Sequence, residues 1–123
     1  MSNQKIWIVI AGFAGFTGVA LGAFGTHRLG DVLSTQMMDI YKTGVLYHLI
    51  HSIAILAVAL YGNNRFYKSA LMFVIGIVLF SVSLYVYAQS GNTTFAMITP
   101  VGGIFFLIGW LLLIVEGIKM KKA

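Results

Sequence analysis

Polar and apolar positions along the chain alternate on a coarse scale, dividing it into four long uncharged apolar runs separated by three polar interruptions. The runs are Ile6 to Gly25, Val45 to Tyr61, Ser69 to Ala88 and Phe95 to Val115. Each approaches the roughly 20 residues that an α-helix needs to cross a hydrocarbon core about 30 Å thick. They predict helices over about 6–25, 41–61, 67–88 and 96–118. The interruptions "GNNRFYK" and "QSGNTT" are short and rich in turn formers. The first, "THRLGDVLSTQMMDIYKTG", is longer and has its own pattern, with Leu29, Leu33, Met37 and Ile40 at spacings of four, four and three. That spacing predicts a short amphipathic segment in the interface that runs into the second helix, with Ser34 or Thr35 as its N-cap.

A finer pattern lies inside each run. Ala11, Gly15, Gly18, Gly22 and Gly25 alternate at four and three residues, so one face of the first helix is nearly bare backbone. The second helix repeats the spacing with Tyr41, Gly44, His48, His51, Ile55 and Val58. The third does so with Ser69, Phe73, Gly76, Phe80, Ser83 and Tyr87, and the fourth with Thr99, Gly102, Phe106, Gly109, Leu113 and Glu116. Helices in lipid associate through small residues and interhelical hydrogen bonds. Gly15, Gly18, Gly22, Gly25, Gly102 and Gly109 are therefore expected at helix contacts. The predicted fold is an all-α, integral-membrane, antiparallel four-helix bundle.

Composition agrees. With 59% hydrophobic and 9% charged residues and a mean hydropathy of +0.93, the chain departs far from a soluble domain. Its 123 residues form a single membrane domain, 1–123, with no room for a soluble catalytic unit. Lys5, Arg65, Lys68, Lys119, Lys121 and Lys122 fall on one side of the bilayer and only Arg28 and Lys42 on the other, which places both termini in the cytoplasm. The net charge of +5 is explained by this asymmetry and by anionic lipid heads, so no nucleic-acid partner is expected. The absence of cysteine excludes disulfides and thiolate metal sites. The first apolar run is too long for a signal-peptide core and lacks an A-x-A site, so it is read as a retained helix.

Candidate chemistry centres on "YHLIH", Tyr47 to His51, which sets two histidines one helical turn apart. His27, Tyr47, His48, His51, Ser83, Tyr85 and Thr99 are all expected in the outer half of the bundle, at one depth, as candidate ligand-binding residues. His27, His48 and His51 could supply three imidazoles to an open metal site, and His48 or His51 could be an axial haem ligand. A hydrogen-bond network that only fixes helix register, or a pocket for a lipid headgroup or small ligand, remain open alternatives. No nucleophile, base and orienting acid are grouped, so an enzyme is not expected. Pro100 falls near the start of the fourth helix, where proline is routine. Glu116 and Lys119 at i, i+3 suggest an interfacial pair. Trp7 fits an aromatic belt, and Trp110 lies deeper, against bundle or lipid.

The blocks "GAFGTHRL", "YKTGVLYHLIHSIAIL", "GIVLFSVSLY" and "ITPVGGIFFLIGW" together resemble the domain-of-unknown-function-423 family, also described as uncharacterised protein family 0382. The resemblance covers all four helices in order. It implies a small multi-pass protein of the bacterial plasma membrane and implies no biochemical activity or cofactor. One departure is visible: the family pattern G-A-F-G-A-H-G-L becomes G-A-F-G-T-H-R-L, with Thr26 and Arg28 on either side of His27. The expected function is a membrane-embedded binding or accessory component, as a homo-oligomer or beside another membrane protein. The alternative is a transporter or a metal- or haem-binding protein using the three histidines.

Overall fold

The computed structural model describes residues 2–121; Lys122, one of the lysines in the charge argument, lies outside them. Four long apolar helices alternate in direction: α1 (Asn3–Arg28), α2 (Thr35–Tyr61), α3 (Asn64–Ser90) and α4 (Thr93–Lys119). Their ends follow local chemistry. Ser2, Ser34 and Asn92 are N-caps whose side chains accept hydrogen bonds from the backbone N–H of Lys5, Met37 and Thr94. Gly62 and Gly91 close α2 and α3 with φ of +76° and +68°, the left-handed conformation that glycine adopts without a Cβ clash.

The Ser34 cap places the start of α2 ten residues before the uncharged run begins. Thr35 to Gly44 is thus the first part of α2, and Thr26 to Arg28 is the last turn of α1. The apolar positions of this segment pack on protein. Leu29, Leu33, Met37 and Ile40 gather around Tyr41 and Tyr85, capping that end of the bundle.

The helices pack in chain order, α1 on α2, α2 on α3 and α3 on α4. Buried residues make up 39% of the apolar stretch of α2 and 44% of that of α3, against 11% for α1 and 17% for α4. The central pair is therefore α2 and α3, with α1 and α4 at the outer corners. Among the described residues α1 and α4 form no extensive interface with each other. The main core holds Ile55, Val58, Ala70, Phe73, Ile77 and Phe106. At the end carrying both termini, Gln4 donates to the Ala59 carbonyl (3.1 Å), Trp7 stacks on Tyr67, and Arg65 pairs with Glu116 at 3.0 Å. Arg65 approaches Glu116 more closely than Lys119 does, at 3.9 Å.

Most of the glycines expected at contacts are there. A Cβ on Gly18 would sit 2.7 Å from Leu49 Cδ2 and one on Gly22 3.2 Å from Val45, and Gly25 receives the Tyr41 ring. Gly109 lies against Phe73. Gly102 brings α4 onto the backbone of Leu79 and Phe80, where a Cβ would collide with the Phe80 nitrogen. Gly15 is the exception: nothing lies within 4 Å of its Cβ position, which borders a cleft between α1 and α2 lined by Val19, Leu49 and Ser52 among others. Gly44 and Gly76 join the set, seated against Tyr85 and Phe106.

Two helices depart from regularity. In α3, Ile77–Ser81 form a π turn between α-helical pieces. In α4, Pro100 is inside the helix, two turns beyond Asn92, because the turn formers Asn92, Thr93 and Thr94 start the helix early. Proline has no N–H, so the Ala96 carbonyl lacks its usual helical donor.

Candidate functional site

His48 is thirteen residues from either end of α2, but only three residues inside its uncharged run, because Thr35 to Gly44 precede that run. Thr17 of α1 lies at similar depth, His51 and Trp110 lie toward the termini, and Ser83 with Thr99 lies toward the opposite end.

Both histidines are 4% exposed, yet they face different neighbours. Positions i and i+3 differ by about 60° around a helix, enough to send one ring toward α1 and the other toward α4. His48 Nδ1 meets the Tyr85 hydroxyl at 2.9 Å, and its Nε2 meets Thr17 Oγ1 at 3.2 Å. Thr17 Oγ1 is also 3.0 Å from the carbonyl oxygens of Phe13 and Ala14. Its single proton goes to those carbonyls, so it accepts from His48 Nε2–H, and His48 Nδ1 accepts from the Tyr85 O–H. A directed chain of hydrogen bonds thus runs from α3 through α2 into α1.

His51 is held otherwise. Its Nδ1 donates to the Tyr47 carbonyl at 2.7 Å, and its Nε2 accepts from the Trp110 indole N–H at 3.0 Å. A carbonyl cannot donate and an indole N–H cannot accept, so the ring is the neutral Nδ1–H tautomer. It stacks on Phe106, centroids 3.7 Å apart and planes 10° from parallel. A third link, Ser83 Oγ to Thr99 Oγ1 at 2.6 Å, joins α3 to α4.

Of the sequence candidates, His48 and Tyr85 are brought together, as are Ser83 and Thr99 in a separate pair. His27 is exposed at the end of α1 and meets neither of the other histidines. The three-imidazole metal site is corrected accordingly: among the described residues no group of three His, Asp or Glu side chains is placed to hold a metal ion. Tyr47 contributes its carbonyl to His51, while its ring, 38% exposed, lies against Phe80. Thr17 and Trp110 are the partners that the sequence reading missed. Thr17 was the detectable one, a hydroxyl about 60° from the edge of the bare face of α1.

Two cavities border the histidines. One of about 310 Å³ lies between α1 and α3, lined by Phe13, Ala14, Thr17, His48, Val78 and Val82 among others. The second, about 390 Å³, lies between α2 and α4 and is lined by Tyr47, His51, Phe80, Pro100 and Trp110 among others.

With this geometry established, the comparisons with known proteins give the lineage. The family described as "Protein of unknown function (DUF423)" matches over residues 21–103. The chain is 40% identical to the UPF0382 inner membrane protein YgdD of Escherichia coli (strain K12), the alignment covering 98% of this chain and 95% of that protein. A UPF0382 membrane protein of Haemophilus influenzae is 40% identical, with 99% of both chains covered. The UPF0382 membrane protein YwdK of Bacillus subtilis is 32% identical, over 94% of this chain and 98% of its own. No solved structure shows a significant match. Four apolar helices, the four sequence blocks and full-length similarity to these relatives together make the chain a member of the DUF423 (UPF0382) family of membrane proteins.

Proposed function

We propose that this small membrane protein is a membrane-embedded binding or accessory component that acts by holding a ligand or partner and not by catalysis. One observation carries the reading. A buried histidine stands within the membrane-spanning part of the bundle, hydrogen-bonded to helices on both sides, on the wall of a cavity. Polar groups at such depth are costly and tend to mark functional sites. The Thr17 hydroxyl meets His48 at the ring nitrogen that carries the proton, so the imidazole does not act on it as a base, which supports binding over chemistry.

In this reading both termini face the cytoplasm, the membrane is the plasma membrane, and the protein works as a homo-oligomer or beside another membrane protein. Support for the orientation comes from charge. Lys5, Arg65, Lys68 and Lys119 sit at the end of the bundle that carries both termini, and Arg28 and Lys42 lie toward the other. Fluorescent-protein fusions at each terminus are expected to fluoresce, as they do only when cytoplasmic.

The binding role is tested on protein purified from its own membrane, comparing wild type with His48→Ala and His51→Ala by absorption, metal analysis and mass spectrometry of bound small molecules. One organic molecule per chain that is lost with His48→Ala supports the proposal. Stoichiometric haem or metal that disappears in the variants overturns it.

A further inference from the structure

The α1–α3 cavity has a chemistry that defines its occupant, and the inference rests on the binding role proposed above. Its volume, about 310 Å³, is at the lower end of small-molecule sites, and its walls are almost wholly apolar. Two of its lining residues, Phe13 and Val78, are 69% and 55% exposed on the outer surface of the bundle, so it opens sideways into the hydrocarbon of the bilayer. Its α3 wall is built on the π turn, Ile77 and Val78 belonging to that turn and Val82 following it. Single π turns recur at functional sites because they widen the helix locally. The polar groups on its lining are Thr17 and His48.

Depth and polarity then select the ligand. The site is lined by the uncharged membrane-spanning stretches of α1, α2 and α3, within the hydrocarbon. A phosphate, a carboxylate or any other charged group is excluded there by the cost of desolvation. The directed chain from Tyr85 makes His48 Nε2–H a donor, so a ligand must bring an acceptor. A bare acyl chain brings none. Thr17 has two carbonyl oxygens of its own for its proton, so its oxygen can give up the His48 contact without leaving the hydroxyl proton unpaired.

We infer that the cavity between α1 and α3 binds an uncharged lipophile carrying a ring carbonyl, of the isoprenoid quinone class, which enters laterally from the bilayer and accepts the His48 Nε2–H in place of Thr17. No covalent or redox step is involved. The carbonyl oxygen exchanges for a hydroxyl oxygen on the same N–H, and the apolar tail remains in lipid.

The test uses the full chain in phosphatidylcholine nanodiscs, with histidine rings labelled with nitrogen-15 and resonances assigned through single His variants. Titration with decyl-benzoquinone is expected to move the His48 Nε2 resonance saturably and to leave His27 and His51 in place. Dodecylbenzene, of similar shape but without a carbonyl, is expected to move none. Ala14→Leu fills the cavity from α1 and Val78→Phe from α3, and each should abolish the response while the unliganded His48 spectrum shows that the fold persists. Thr17→Val leaves the His48 N–H without its internal partner and should tighten quinone binding about tenfold, the equivalent of one hydrogen bond. Weaker binding in Thr17→Val, or a response that survives both cavity-filling variants, overturns the inference. If quinone is inert but a lipid extract of the native membrane moves His48, the quinone class fails and the binding role stands. If neither moves it, both fail.

Discussion

His48 and His51 are one helical turn apart and equally buried, and they do opposite things. His51 is locked: a carbonyl, an indole N–H and a parallel phenyl ring each allow it one orientation and one tautomer. His48 is bonded at both nitrogens to hydroxyls, which can donate or accept and can change partners. The difference comes from the helices that each ring faces. α4 offers aromatic surface and glycines, and α1 with α3 offers Thr17, Tyr85 and a cavity. A histidine inside a membrane bundle is therefore read from its neighbours, and the same residue on the same helix serves as a fastener toward one side and as an adjustable contact toward the other.

The strongest way to separate the two is through α4. Gly102→Ala would drive a methyl group into the α3 backbone at Leu79 and Phe80, which has no side chain to move aside. A cost of about 3 kcal/mol is expected, at the high end for overpacking. Labelled-histidine spectra should show His51 losing Trp110 while His48 keeps Tyr85; loss of both together would mean that the two halves are not independent.

His48→Phe comes next, at about 2 kcal/mol by equilibrium unfolding in mixed micelles, because it orphans the buried Tyr85 hydroxyl. Adding Tyr85→Phe should recover roughly half of that loss, and additive losses would break the assignment of the hydrogen bond. His51→Phe preserves the stack on Phe106 and removes one interhelical hydrogen bond, for about 1 kcal/mol or less. Equal effects of the two His→Phe changes would erase the distinction between the sites. Smallest is Ser81→Ala in the π turn. The Ser81 hydroxyl is fully buried with no hydrogen-bond partner, so its removal should be neutral or stabilising by up to about 1 kcal/mol in the same assay.

The four spans, their order and most of the close-packed glycines were legible because a bilayer enforces length and apolarity on every crossing segment. Helix starts were less so. Gln36, Asp39 and Lys42 make the first turns of α2 look like a loop, although a helix end lying beyond the hydrocarbon carries polar residues freely. The three-histidine grouping failed for a separate reason: sharing a broad face of α2 is not sharing a neighbour, and His27 sits at the far end of α1. Trp110 reads as bundle or lipid contact from hydropathy alone, since its ring is apolar and only its N–H makes it specific. The π turn leaves no mark in the apolar pattern, because Ile77 to Phe80 is apolar on every side.

That turn has a bearing on how long α3 is allowed to be. A π turn fits one residue more into its loop of backbone than an α-helical turn does, so the chain between Gly76 and Val82 carries a surplus of one. Deleting a single residue there would restore regular helix and leave everything after it in nearly the same orientation, because four α-helical residues turn the chain about as far as the five of the π turn. Ser83 would keep Thr99 and Tyr85 would keep His48, while the wall of the α1–α3 cavity would change. Natural variants of this protein with one residue fewer between Gly76 and Val82 are accordingly expected to fold with the same interhelical hydrogen bonds.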